Sequence, residues 1–139
     1  SELMNEGWAV YCEEMMVETG FISEPKEILF KLKNQLWRAC RVVIDIELHT
    51  GKINFDDAVN LLVNTVKMDR INAETEVRRY SFNPGQPLTY SIGKQEVLNI
   101  RQKYQQKMGK KYRLKEFHNQ FLSYGSIPVP VIAEAMGLA

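Results

Sequence analysis

The chain has 139 residues, of which 45% are hydrophobic and 25% charged, a balance typical of one globular domain that argues against extended disorder. Eighteen basic and seventeen acidic residues leave a formal charge of +1, so the main electrostatic argument for a nucleic-acid binder is missing. Cys12 and Cys40 are too few for a disulfide framework or a four-ligand zinc site by themselves. No apolar run reaches the roughly 18 residues that a membrane-spanning helix needs. We predict a single domain over residues 1–139, with no nucleic-acid partner and no membrane span.

Apolar residues recur at steps of three and four along most of the chain, which is the spacing of amphipathic helices. Capping residues, prolines and glycines mark the ends of these segments. The predicted helices cover about 4–19, 24–49, 54–66, 72–80, 88–108, 114–124 and a short segment ending near 136. Residues 127–130, which precede the last helix, are predicted to be extended. Because no segment alternates as a strand does, the predicted fold class is all-α, an irregular bundle of about six to seven helices.

Two of these helices carry specific expectations. The segment 24–49 is the longest and is expected to be the central element of the bundle. Its apolar residues at helical spacing are Ile28, Leu29, Leu32, Leu36, Ala39, Cys40 and Val43. The segment 72–80 is expected to begin at Asn72, since an asparagine side chain can accept a hydrogen bond from the first free backbone N–H groups of a helix.

Taken alone, the sequence holds no complete catalytic set. It lacks a His-Glu-x-x-His motif, a phosphate-binding glycine-rich loop and a nucleophile elbow. The histidines, His49 and His118, lie far apart, and their surroundings favour structural roles. His118 stands on an apolar helix with Phe117 and Phe121. His49 follows Asp45 by four residues, so the two can share a helical face, where the aspartate can fix the imidazole tautomer.

Four blocks of sequence resemble, in the same order, the bacterial domain-of-unknown-function family eight-eight-five, whose members are similar to gluzincin-type zinc peptidases. Residues 6–13 read Glu-Gly-Trp-Ala-Val-Tyr-Cys-Glu and resemble the family's Glu-Gly-Trp-Ala-Leu-Tyr-x-Glu. The other blocks are residues 38–49, residues 76–93 and residues 117–128. The chain departs from the family pattern at Val10, Glu47 and Asn119, and the last departure removes a carboxylate.

The resemblance implies that the chain is the C-terminal helical part of a larger zincin-like protein. In such proteins an upstream His-Glu-x-x-Pro-Gly-His-type motif supplies two zinc ligands and the general base, and the glutamate of the first block, here Glu6, supplies the third ligand. Three protein ligands leave a position for a water molecule whose pKa the metal lowers. Zinc is therefore expected in the intact protein and not in this chain alone. Without the resemblance, Glu6 reads as a surface carboxylate near a helix start, where the helix dipole favours it.

The resemblance also singles out residues for the substrate. Gluzincin-type peptidases often use a tyrosine in a place comparable to Tyr90 to donate a hydrogen bond to the tetrahedral oxyanion. The alternative for Tyr90 is a place in the core with its hydroxyl at the surface. Arg79 can pair with a peptide carboxylate through its guanidinium group, and of the neighbours Arg78 and Arg79 only one is expected to face inward. His49 and His118 remain further substrate-facing candidates.

Two functions from different classes follow. In the first, the chain is the helical C-terminal part of a zinc-dependent peptidase, inactive by itself, whose partners are a peptide substrate and the upstream half of the same protein. In the second, it is a non-catalytic helical binding or assembly module. In either case, apolar surface left uncovered by the upstream helices can lead to self-association.

Overall fold

The computed structural model describes residues 1–138, and these form an all-helical bundle without strands. The seven α-helices are α1 Glu2–Glu18, α2 Pro25–His49, α3 Phe55–Leu61, α4 Arg70–Phe82, α5 Leu88–Met108, α6 Leu114–Ser123 and α7 Val129–Ala135. A π-helical turn, Leu62–Val66, continues α3, and a 3₁₀ turn, Gly109–Lys111, follows α5. The predicted all-α fold class is confirmed. No helix among the described residues is both long and apolar enough to cross a membrane, in agreement with the prediction.

Most predicted helix ends are confirmed because local signals determine them. Helix α2 has Pro25 in its first turn, where a proline needs no hydrogen-bond partner. Helix α3 begins with a capping box, in which the side chains of Asn54 and Asp57 each accept from the other's backbone N–H group. Helix α5 spans Leu88–Met108, as predicted from the proline- and glycine-rich segment before it.

Two predicted ends are wrong. Helix α4 begins at Arg70 and is capped by Asp69, whose carboxylate accepts from the backbone N–H of Asn72. Asn72 therefore lies inside the first turn and supplies the capped N–H instead of the cap. Residues 127–130 are not all extended either, because α7 already begins at Val129 and accommodates Pro130 in its first turn.

The buried residues form two hydrophobic clusters. The first lies between α1, α5, α6 and α7, and its fully buried side chains include Tyr11, Val97, Phe117, Phe121 and Ile132. The second lies between α2, α3, the π-helical turn and α4, and its fully buried side chains include Ile44, Val59, Leu62, Val77 and Tyr80. Helix α5 contacts both α1 and α2 and so links the two clusters.

Helix α2 differs from its expected role as the central element. Its buried residues are Cys40, Arg41, Ile44 and Asp45, all in the second half of the helix. Of the apolar residues at helical spacing, Cys40 is buried, but the leucines are exposed, with Leu29 at 67%, Leu32 at 52% and Leu36 at 44% of full exposure. These side chains line an open groove of about 1120 Å³ along the first half of the helix. Only the second half of α2 belongs to the core.

Helices α1 and α5 approach each other most closely at two glycines, Gly7 and Gly93. A Cβ atom built on Gly7 would lie 2.2 Å from the carbonyl carbon of Gly93, and one built on Gly93 would lie 2.1 Å from the carbonyl oxygen of Leu3. Both distances are far below van der Waals contact, so each position requires the absence of a side chain. This crossing fixes how closely the N-terminal halves of α1 and α5 approach each other.

Candidate functional site

Polar and aromatic side chains gather where α2, α4 and the start of α5 meet, and we call this group the polar cluster. Its members are Trp37, Arg41, Asp45, His49, Glu76, Arg79, Tyr80, Gln86 and Tyr90. The four members on α2 follow one another at steps of four and therefore share one face of that helix. Arg41 and Asp45 are the buried charged residues among those that the structure describes.

The guanidinium group of Arg41 lies among aromatic rings. Its central carbon is 4.2 Å from the ring centroid of Trp37 and 5.1 Å from that of Tyr90. Its Nε donates to the hydroxyl of Tyr80 at 3.0 Å, and the Trp37 indole N–H donates to the same oxygen at 3.1 Å. The carboxylate of Glu76 lies 3.7 Å from one terminal nitrogen of Arg41. The buried charge thus has cation–π, hydrogen-bond and ionic partners, which offset the loss of water around it.

A chain of hydrogen bonds leads from α4 to Tyr90. Arg79 donates to the Glu76 carboxylate at 2.8 Å and, at the longer distance of 3.5 Å, to the amide oxygen of Gln86. The amide nitrogen of Gln86 donates to the Tyr90 hydroxyl oxygen at 3.0 Å. Because Tyr90 accepts in this bond, its own hydroxyl hydrogen remains available for a different acceptor. Tyr90 and Arg79, both predicted as site residues, therefore lie in one connected group.

The charges of the cluster shift the pKa values of its members. Burial raises the pKa of the Glu76 carboxyl, but Arg79, the Tyr80 hydroxyl and Arg41 outweigh this effect and hold the pKa below its ordinary value. Burial raises the pKa of Tyr80 to about 12, so its hydroxyl stays protonated. The hydrogen bond to Glu76 raises the pKa of Arg79. The cluster therefore keeps an ionised carboxylate between two permanent cations.

Asp45 ties α2 to the segment that carries Gln86. One of its carboxylate oxygens accepts from the backbone N–H of Gly85 at 2.9 Å, and Gly85 adopts a φ of +86°, which favours glycine in this turn. The Nδ1 atom of His49 lies 2.8 Å from the Asp45 carbonyl oxygen and 3.3 Å from the second carboxylate oxygen. A single N–H can point at only one of them, and the closer carbonyl is the better acceptor. Asp45 and His49 share one helical face, as predicted, but His49 Nδ1 lies closest to the backbone carbonyl of Asp45, and the carboxylate oxygen Oδ1 of Asp45 has no hydrogen-bond partner among the described residues.

Glu6 lies beside the crossing of α1 and α5, directly before Gly7. Tyr90 is one helical turn before Gly93, so both candidates lie within about one turn of the closest approach. Glu6 is half-buried and has no hydrogen bond or ion pair with the residues that the structure describes. Glu13, seven residues further on, binds Arg38 through two bonds of 2.7 Å and so connects α1 to α2. Within residues 1–138, no three His, Cys, Asp or Glu side chains come together as a metal site.

His118 lies in the first hydrophobic cluster, apart from the polar cluster. Its ring packs edge-on against Trp8 and Tyr11, and its Nε2 lies 2.7 Å from the Tyr11 hydroxyl. Burial, together with the charge of Arg101, lowers the pKa of His118, while burial raises the pKa of Tyr11 to about 12. These shifts favour a neutral imidazole and a protonated hydroxyl, which share one hydrogen bond. This arrangement is a structural role, which the residue pattern alone favoured, and it does not bring His118 to Tyr90.

His118 is expected to make the stability of the fold depend on pH. Because its pKa is lower in the folded chain, its contribution is present in full above the unfolded-state pKa of about 6.5 and is lost as the pH falls through the folded-state pKa. Urea unfolding at pH 7.5, 6.5 and 5.5 should show a falling free energy of unfolding. A His118→Gln variant should lose most of this slope, whereas His49→Gln should keep it. If the free energy of unfolding of His118→Gln depends on pH as it does in the wild type, His118 is not the source of the pH dependence.

Sequence reasoning missed Arg41, Glu76 and Gln86 as site residues, although Arg41 and Gln86 each stand four residues from another member of the polar cluster. Arg41 stands midway between Trp37 and Asp45 at steps of four, and Gln86 precedes Tyr90 by the same step. Residues four apart share one face of a helix, so Trp37, Arg41 and Asp45 can form one contact surface on α2.

Comparisons with known proteins agree with this all-helical fold. The chain belongs to the family described as "Bacterial protein of unknown function (DUF885)", whose model matches residues 1–136. A solved structure described as "a putative lipoprotein of unknown function" from Shewanella oneidensis is 38% identical, with a TM-score of 0.89 over 96% of this chain. A "putative lipoprotein" from Colwellia psychrerythraea is 30% identical, with a TM-score of 0.90 over 96% of this chain. No curated protein matches significantly.

The chain spans about a quarter of the length of these solved structures, namely 25% of the Shewanella protein and 23% of the Colwellia protein. The predicted family is confirmed by the match over residues 1–136. Neither relative is described with a reaction or a ligand.

Proposed function

We propose that this chain is the C-terminal helical part of a zinc-dependent peptidase and is inactive by itself. The observation that carries the proposal is the state of two side chains at the crossing of α1 and α5. The Tyr90 hydroxyl accepts from Gln86 and keeps its own hydrogen for another acceptor. The carboxylate of Glu6, one turn or less from the same crossing, is half-buried and has no partner among the described residues.

The donor atoms of this chain suit zinc only in part. Glu6 offers one carboxylate, a ligand type that zinc accepts, and residues 1–138 bring no further ligands together around it. The remaining ligands would come from polypeptide outside this chain, such as the His-Glu-x-x-Pro-Gly-His-type motif of similar proteins. Zinc held in this way supplies a Lewis acid and lowers the pKa of its bound water.

The polar cluster would act on the peptide. Tyr90 would donate its free hydroxyl hydrogen to the scissile carbonyl oxygen as negative charge develops there. The Arg41 guanidinium, 5.1 Å from the centre of the Tyr90 ring, adds a positive field on the same side. Arg79 uses two of its five N–H donors for Glu76 and Gln86, which leaves donors for a substrate carboxylate. Arg78 is exposed, so the proposal assigns the substrate carboxylate to Arg79.

The proposal predicts a large kinetic effect of Tyr90→Phe. In the full-length protein that carries residues 1–139, the loss of one oxyanion donor should lower kcat by about 100- to 1000-fold with little change in KM. Hydrolysis of a fluorogenic peptide measures both constants. Tyr124→Phe is the matched control, since its hydroxyl donates only to the carbonyl of Ala135. An unchanged kcat in Tyr90→Phe would remove Tyr90 from the reaction.

A second candidate function is a non-catalytic helical assembly module. The exposed apolar stripe of α2 favours it, because large apolar side chains in a continuous row typically belong to an interface. If neither Tyr90 nor Glu6 affects peptide hydrolysis or zinc content, this function is the better description.

A further inference from the structure

The exposed residues of α2 repeat every three and four positions along most of the helix. They are Leu29, Leu32, Leu36, Ala39, Val43 and Ile46, and we call them the α2 stripe. This is the spacing of the a and d positions of a coiled coil over two and a half heptads. All six residues are exposed in the structure. Cys40 and Ile44 contact the core of the domain from a different face of α2, so the stripe is open to solvent. Along its first half, Ile22 and Val66 line the same groove as the stripe leucines and would contact a docked helix as well.

The stripe is complementary to itself when two α2 helices run in opposite directions. With the centre between residues 37 and 38, Leu29 of one copy faces Ile46 of the other, and Leu32 faces Val43. In the middle layer Leu36 faces Ala39, a large residue against a small one. If Leu29 is an a position, the stripe residues alternate between a and d along the helix. Each a residue of one copy then meets a d residue of the other, which is how antiparallel helices interlock their side chains.

The charges beside the stripe favour the same direction. Lys33 and Glu47 each directly follow a stripe residue, so they lie on the same flank of α2, and neither forms an ion pair among the described residues. In the antiparallel pair, Lys33 of one copy and Glu47 of the other are offset by about 7.5 Å along the axis, which two long side chains can span. A parallel pair would bring no opposite charges together on the two flanks, which carry Lys33 and Glu47 on one side and Gln35, Val42 and His49 on the other.

We propose that the α2 stripe is a homodimer interface, in which a second copy of this chain packs its own α2 antiparallel against the first. The exposed stripe and its flanks would bury on the order of 1,000 Å² in the pair, which is at the low end of specific interfaces. The dimer should therefore be weak, with a dissociation constant in the micromolar range. The proposal does not rest on the proposed peptidase function, and either can fail without the other.

Sedimentation equilibrium of the full-length protein that carries residues 1–139, between about 5 and 500 µM, tests the interface, with a monomer–dimer equilibrium as the expected result. Leu36→Glu places a charge in the central layer and should weaken association at least about tenfold. Ile71→Glu is the control, since Ile71 is 78% exposed on α4, outside the stripe. It should leave association unchanged. Circular dichroism verifies that each variant keeps its helix content.

A charge reversal tests whether the two α2 helices of the dimer run antiparallel. Lys33→Glu and Glu47→Lys should each weaken association by about three- to tenfold, and the double variant should recover wild-type affinity within about twofold. A chain that stays monomeric at 500 µM would overturn the proposal and leave the stripe to other polypeptide, such as the additional chain that the solved relatives possess. The proposal would also be overturned if neither Leu36→Glu nor the charge reversal changed the dissociation constant of the dimer.

Discussion

Gly93→Ala is expected to destabilise the fold by about 3 kcal/mol or more, or to prevent folding. The added methyl group would lie 2.1 Å from the carbonyl oxygen of Leu3, a backbone atom that cannot rotate away. Relief requires α1 and α5 to separate, and this would loosen the hydrophobic cluster between them. Gly7→Ala meets the backbone of Gly93 at 2.2 Å and should have an effect of similar size. Urea unfolding followed by circular dichroism at 222 nm measures both variants.

Gln102→Ala is the matched control for these glycines. Gln102 is an exposed residue of α5, and alanine is the better helix former, so the free energy of unfolding should change by less than about 0.5 kcal/mol. If Gly93→Ala changes the free energy of unfolding no more than Gln102→Ala does, α1 and α5 do not touch at the two glycines. The shared position of Glu6 and Tyr90 near the crossing would then have no structural basis.

Arg41→Met is expected to cost about 2–4 kcal/mol of stability, although methionine nearly fills the same volume. It removes the donor at 3.0 Å from the buried Tyr80 hydroxyl and one of the two cations beside Glu76. It also removes the cation–π contacts with Trp37 and Tyr90. Thermal and urea unfolding measure the loss, and a tryptophan fluorescence change should accompany it because Trp37 changes its environment.

The variants around Arg41 should couple to one another. Tyr80→Phe removes the shared acceptor, so the double variant Arg41→Met/Tyr80→Phe should cost less than the sum of the single variants by about 0.5–3 kcal/mol. Arg78→Met on exposed α4 surface is the control and should be close to neutral. If the stability losses of Arg41→Met and Tyr80→Phe simply add in the double variant, the hydrogen bond between Arg41 and Tyr80 contributes nothing to stability.

The helix ends were predictable wherever a local signal is strong. The segment rich in proline and glycine before Leu88 and the glycine after Met108 determine both ends of α5. The predicted start of α4 at Asn72 is wrong because Asp69 and Asn72 are both capping residue types. Only the backbone conformation before Arg70 decides which of them caps the helix. The periodicity of α2 correctly predicts a helix, but the helix carries apolar residues on two faces. Periodicity alone does not tell which face meets the core.

The candidate site was predictable in part. The family resemblance singled out Tyr90 and Arg79, and the structure brings them together through Gln86. It also singled out His118, which instead belongs to an aromatic cluster on α6. The sequence pattern does not single out Arg41, because a buried arginine is recognisable only from the aromatic rings and the carboxylate that surround it. Apart from Trp37, one helical turn earlier on α2, these partners come from α4 and α5, about 35 to 49 residues further along the sequence.

Zinc content and peptide hydrolysis of the full-length protein, compared between wild type and Glu6→Gln, test the proposed function most directly. Glu2→Gln is the matched control, since Glu2 is an exposed carboxylate on the same helix. The proposal predicts about one zinc ion and measurable hydrolysis for wild type and Glu2→Gln, and the loss of both in Glu6→Gln. Full zinc content and unchanged hydrolysis in Glu6→Gln, or a wild-type protein without zinc, would contradict the proposal and leave Glu6 as a surface acid.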